Sequence, residues 1–351
     1  MSGPLYVPVL PTKQHAAEVF PRLRPDVRSA VRPLWNLPPL HKVAQETLGT
    51  VVDTCVGRAS AVSRHGGWID APFGTEALTP AFAEALAARC RFGQLKPVTG
   101  PERTAEQQAM AVGTARHCSC GLGVRVQVTG EWDARLWEGV RGLLAQTGPE
   151  MPLDLLLDMG AVLDDRTDAG KEALRALDTL MPMTAWRSAV LIGGGLPPVS
   201  NDLLEDGPVE VPRGEWRMWH EVRATDRTYA SRIGYGDYGV QHPAALAQPL
   251  APRKGGPSWG TLRYTTDRSY FIVRTLTKGP DRIDVTRAAA RRITELPEFR
   301  GARAAGHGEA WLSDCAHGPR TTGRGTGGFR EWLRAGYLQH MTYVVRSLPD
   351  G

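Results

Sequence analysis

The sequence predicts an α/β fold: a (β/α)8 barrel of the TIM type, followed by an appended C-terminal β-hairpin and helices. Three observations lead there. Eight short runs rich in branched apolar residues recur between Tyr6 and Tyr238, each followed by a stretch of helical character. Their spacing is that of a βα unit whose helix crosses back over a parallel sheet. After the eighth run the repetition stops, at a Pro/Gly-rich linker.

In chain order the predicted strands are YVPVL from Tyr6, VRPLWNL from Val31, WIDA from Trp68, LKPVT from Leu95, GVRVQVT from Gly123, LDLLLDMG from Leu153, SAVLIG from Ser188 and RIGYGDY from Arg232. The helices between them carry start and stop signals. Thr79 with Pro80 opens one and Gly93 closes it; Thr104 and Asp168 open two more. This assigns residues 1–248 to the barrel. Residues 196–227, with three prolines before Val211, read as an insertion and a candidate lid. Residues 249–351 form a separate basic extension: a hairpin over 261–276, a basic amphipathic helix over 284–296, a flexible Gly-rich loop over 301–328 and a terminal helix over 329–348.

Composition narrows the class. A chain of 351 residues that is 42% hydrophobic can bury a large core. Its five cysteines are scattered and odd in number, which suits a reducing compartment, so a cytoplasmic location is expected. Neither a signal peptide nor a membrane segment is expected. Charge is uneven: residues 251–351 hold 17 Lys and Arg against 9 Asp and Glu, net +8, and residues 1–250 have 25 against 28, net −3. A basic C-terminal third suits an anionic ligand, nucleic acid or an acidic partner protein. Only six of the 42 basic residues are lysine, and a GC-rich genome would produce that arginine bias by itself.

Strand parity places the candidate site. In GVRVQVT the valines share one face and Arg125 and Gln127 the other; in LDLLLDMG, Asp154 and Asp158 fall together. The valines belong against the helices, so Arg125 and Asp158 point into the barrel. A charge there is costly unless paired or functional. Either an Arg–Asp ion pair plugs the core, or the two residues work at the C-terminal mouth, where barrel active sites lie. Lys13 follows the first strand and Asp70 ends the third. Gly194 follows strand seven and Gly236 lies in strand eight, where barrels often hold phosphate on backbone N–H groups or simply turn a tight corner. Asp237 and Tyr238 close the eighth strand. HCSC at 117–120 lacks a second pair of metal ligands, so no metal site is predicted. Walker A, GxSxG and HExxH motifs are absent, and no cofactor is assigned.

Beyond these patterns, YVPVLPTK, LPPL after strand two, LDMG, GDYG, RYTTDRSYFIVR and WLRAGYLQHMT resemble the family called beta protein, named after a T-even phage protein and found in phages and bacteria. The likeness runs nearly end to end. It covers Arg125, Asp158, Gly236, Asp237, Tyr238, Arg263, Tyr264, Trp332, Arg334 and His340, and brings Arg263, Arg334 and His340 into the candidate substrate-binding set. Asn36 stands where the pattern usually has an acid, and Gln339 where a second histidine often precedes His340. The resemblance implies a setting among mobile and defence-associated genes, hence an anti-phage role. Two functions follow. One is an enzyme with Asp158 and Asp237 as acid/base or metal-facing groups and Arg125 gripping a phosphorylated or nucleotide-type substrate. The other is a non-catalytic module that recognises nucleic acid or a partner protein through its basic extension.

Overall fold

The computed structural model describes residues 6–90, 95–130, 133–200, 202–205, 207–250, 257–301, 306–318 and 326–349. Eight parallel strands close into a barrel: β1 (Tyr6–Pro11), β2 (Leu34–Asn36), β3 (Gly67–Asp70), β4 (Leu95–Thr99), β5 (Leu122–Gln127), β6 (Leu153–Ala161), β7 (Trp186–Gly194) and β9 (Ile233–Asp237). They pair in sequence order, and β9 closes on β1 with Tyr6 beside Tyr235. All eight are the predicted ones.

Alternation along each strand divides the core into two. Residues facing the helices, such as Tyr6, Leu10, Val124, Val126, Leu155 and Leu157, pack against apolar helix faces. The barrel interior is layered. At its N-terminal end the buried Asp154 collects Trp68 Nε1, Lys96 Nζ, Arg187 and Ser188 Oγ. Above lies an apolar layer of Val7, Val9, Leu34, Trp68, Val98, Leu156, Val190 and Ile192. The layer at the C-terminal mouth is polar. Thr104 and Gln107 form a reciprocal capping box at Ala105–Cys118, Asp168 precedes Ala169–Leu180 without a side-chain cap, and Asp133 caps Ala134–Gln146.

Residues 196–227 do not cover the mouth. Their strand β8 (Val209–Pro212) pairs antiparallel with β11 (Ser269–Leu276), itself paired with β10 (Trp259–Thr265), so a piece of the barrel segment completes a three-stranded sheet with the C-terminal hairpin. Helix Gly214–Arg223 then packs outside β7 and β9, burying Trp216, Trp219 and Val222. The apolar helix face decides this: a lid would leave that face in water. Helix His307–His317 lies within 301–328, where the sequence predicts a loop. Its Leu312, Cys315 and Ala316 bury in one apolar cluster with helix Arg282–Thr294, the hairpin and Trp332, and Trp311 packs against it. Residues 302–305 and 319–325 of that predicted loop, and Trp132, lie outside the described residues. Helix Phe329–Ser347 runs between β10 and the first barrel helices, with its stretch Trp332–Val344 largely buried. Cys55, Cys120 and Cys315 are buried free thiols, whereas Cys118 is joined in a disulfide, which scattered cysteines did not suggest. No helix among the described residues is long and apolar enough to cross a membrane.

Candidate functional site

The mouth is built from five strands. Asn36 from β2, Asp70 from β3, Arg125 from β5, Asp158 from β6 and Tyr238 just after β9 converge on one buried cluster. Arg125 is its centre. Its Nε and Nη2 donate to Asp158 Oδ2 at 3.0 and 2.6 Å; Nη2 also donates to Tyr238 Oη at 3.0 Å; Nη1 donates to Asp70 Oδ2 at 2.8 Å and Asn36 Oδ1 at 3.1 Å. A guanidinium carries five N–H donors, and these five bonds use them all. Asp158 Oδ2 accepts a third bond from Tyr238 Oη at 2.7 Å, and Oδ1 accepts from Gly160 N at 2.9 Å. Gly160 sits at φ +63°, a left-handed conformation that suits glycine and turns its N–H back toward the carboxylate. Burial and the adjacent Asp158 carboxylate push the Tyr238 phenol well above its ordinary pKa, so it stays a donor.

Asp70 is shared. Arg103, from the loop after β4, donates Nη2 to it at 3.0 Å and Nη1 to Glu102 at 2.5 Å. Arg103 was not foreseen, because a charged loop residue has no parity to read. Above the cluster lies a cavity of about 310 Å³ lined by Asn36, Arg125, Asp158, Tyr238, Gln127 and Thr129, with Phe73 and residues 242–247 forming its rim. The rim segment begins at His242, whose Nδ1 accepts from Ala244 N and sets the turn at Pro243. A His-Pro pair just past the last strand was the available signal for it.

The family model described as Beta protein matches residues 6–346. The chain belongs to the Beta protein family. No curated protein matches it. A solved structure from Aquifex aeolicus VF5, described as "Structural study of Project ID", is similar at 8% identity with a TM-score of 0.38, covering 70% of this chain and 87% of that one. A likeness at that score adds nothing to the fold, which rests on the closed strand order.

In this Beta protein family member the two candidate acids are separated. Asp237 has the parity of Tyr235 and faces outward, fully buried beneath the terminal helix. Its Oδ1 accepts from Tyr6 Oη at 3.1 Å and Gly239 N at 2.8 Å, and its Oδ2 meets His340 Nε2 at 2.9 Å. Burial alone would raise its pKa; His340, the Gly239 N–H and Arg213 together hold it below the ordinary carboxylate value. His340 Nδ1 in turn meets Thr265 Oγ1 at 2.9 Å, so this chain of contacts joins barrel, hairpin and terminal helix. Gln339 pairs its amide with both N and O of Thr265. Asn36 gives Arg125 a neutral acceptor beside its two carboxylates, Asp70 and Asp158.

The other predicted residues lie elsewhere. Lys13 precedes helix Gln14–Ala17 and does not line the mouth cavity. A Cβ on Gly194 would come within 2.6 Å of Pro243 Cγ, so Gly194 seats the rim; one on Gly236 would meet Ile192 Cγ1 at 2.6 Å inside the barrel. Both are close-approach glycines. Arg334 pairs with Glu18 at 3.0 Å and clasps the terminal helix to the barrel. Arg263 lies on β10, facing a different cavity. Among the described residues no cluster of His, Cys, Asp and Glu could hold a metal ion.

Proposed function

We propose that the chain is a ligand-binding barrel whose mouth receives a compact, uncharged polar molecule, held over a rigid floor made by Arg125, Asp158 and Tyr238. One observation carries this reading: every N–H of Arg125 is already spent inside the protein. An anion could be gripped by Arg125 only by breaking a buried charge-assisted bond. Asp158 Oδ2 already accepts three hydrogen bonds from the protein, so its lone pairs are likewise engaged. Recognition therefore fits better than acid–base work. Gln127, Thr129 and the free ring edge of His242 supply the specific contacts, and Phe73 and Leu246 the apolar ones. The setting implied by the family is phage–host conflict, so a molecule that changes during infection is the ligand to seek.

The test is a thermal-shift screen of neutral polar compounds, nucleosides and sugars included, against wild type and Ala247→Trp, which plugs the mouth from an exposed position. A ligand at a hundredfold excess over its Kd stabilises the folded state by about 2.7 kcal/mol. The expected result is a shift in wild type that Ala247→Trp loses. If phosphorylated compounds alone shift wild type and Ala247→Trp abolishes that shift, the mouth is an anion site and the proposal fails.

A further inference from the structure

A larger cavity, of about 760 Å³, lies between the rim segment and the C-terminal extension. His242 and Ala244 stand between it and the mouth, lining both. Its walls carry three basic side chains, Arg263, Lys278 and Arg282, and no acidic one among the described residues. They also carry three aromatic rings, Trp259, Phe329 and Trp332.

Arg263 is the decisive group. Its Nε donates to Thr261 Oγ1 at 3.1 Å and its Nη1 to the Val240 carbonyl, while Nη2 makes no hydrogen bond among the described residues. It forms no salt bridge among them either. Burial lowers its pKa to about 10, so it keeps its charge at neutral pH, in a partly desolvated place without a carboxylate counter-ion. Such an arrangement costs stability unless an anion completes it. The helix ends at this cavity also favour an anion. Helices Arg282–Thr294 and Phe329–Ser347 both begin at this cavity, through Arg282 and through Gly328 and Phe329, and so direct the positive ends of their dipoles toward it. Glu331 caps the Gly328 N–H from outside the lining. Phe329, 53% exposed, offers a ring that no neighbour covers fully, as a stacking surface.

We infer that this cavity binds a phosphate-bearing ligand with a planar ring, of the nucleotide class, with the phosphate on Arg263 and the ring against Phe329. Its volume falls in the range of pockets that hold such molecules. The inference is independent of the mouth reading.

Calorimetric titration of the full chain with ADP, adenosine and inorganic pyrophosphate tests it. ADP should bind more tightly than either part alone, and added salt should weaken it. Arg263→Met should weaken ADP by about 10-fold or more, the worth of one charge-assisted contact. Phe329→Ala should weaken ADP and leave pyrophosphate unchanged. Arg282→Gln and Phe329→Ala, at half-buried and exposed positions, give the answer if Arg263→Met does not fold. Ala247→Trp should leave ADP binding intact, which separates this cavity from the mouth. No binding of any probe at millimolar concentration, ADP affinity unchanged in all three cavity variants, or loss of ADP binding in Ala247→Trp would each overturn the inference.

Discussion

Asp158 and Asp237 occupy the same local turn and face opposite sides of the barrel wall. Each begins an Asp-x-Gly sequence, Asp158 near the end of β6 and Asp237 at the end of β9, and each accepts the glycine N–H on Oδ1, at 2.9 and 2.8 Å. Both glycines have left-handed φ, +63° at Gly160 and +59° at Gly239. Asp158 points inward to Arg125 and Asp237 outward to His340. The same turn thus serves the mouth once and the joint with the extension once.

Arg125 should matter more to stability than any single acid around it. Arg125→Met leaves Asp70 and Asp158 buried without their shared cation and should cost about 3–5 kcal/mol. Asp158→Asn keeps an acceptor beside Tyr238 and leaves Asp70 to balance Arg125, so it should cost less. Urea unfolding of both variants decides the order. Arg125→Met within about 1 kcal/mol of wild type would mean that the cluster is not the dry ion network described.

The Asp237–His340 joint should respond to acid. The Asp237 pKa is depressed in the folded chain, so its stabilising effect is present above the unfolded value, about 3.9, and is lost as pH falls through the folded one. Asp237→Asn should be less stable than wild type near neutrality, and the gap should close below about pH 4. A gap independent of pH would assign the loss to packing alone.

Glu309 should give the opposite slope. It is fully buried in helix His307–His317, accepts a hydrogen bond from Tyr264 Oη at 2.7 Å and has no partner for Oε2 among the described residues. Burial pushes its carboxyl up to about 7. A raised pKa favours folding most below the unfolded value, and that advantage is lost as pH rises through about 7. Wild type should therefore lose stability between about pH 4 and 7, and Glu309→Gln should flatten that part of the profile. Unfolding midpoints across this window, equal for the two proteins, would count against a buried neutral carboxyl.

If phage infection is the setting, cells expressing the chain should show reduced plaque formation by at least one phage of a diverse panel. Ala247→Trp should restore plating while the protein stays folded. Equal protection by the plugged variant would place the activity outside the mouth.

Strand identity and order were legible in the chain because each strand is a short local run whose alternation records which side is buried. The valines of β5 and the leucines of β6 were enough to send Arg125 and Asp158 inward. The same reasoning was available for β9, where Gly234 and Gly236 must face the crowded interior and Asp237 therefore cannot. Four residues from other strands and strand ends meet at Arg125, however, and the count of its N–H bonds exists only once the barrel has closed. Pairing between β8 and β11, about 60 residues apart in the chain, likewise leaves no trace in either strand. Arg263 looks like any hairpin arginine until burial strips part of its water and no carboxylate among the described residues pairs with it. Local pattern thus records which face a residue shows, whereas hydrogen-bond satisfaction and charge balance depend on partners that only folding brings within 3 Å.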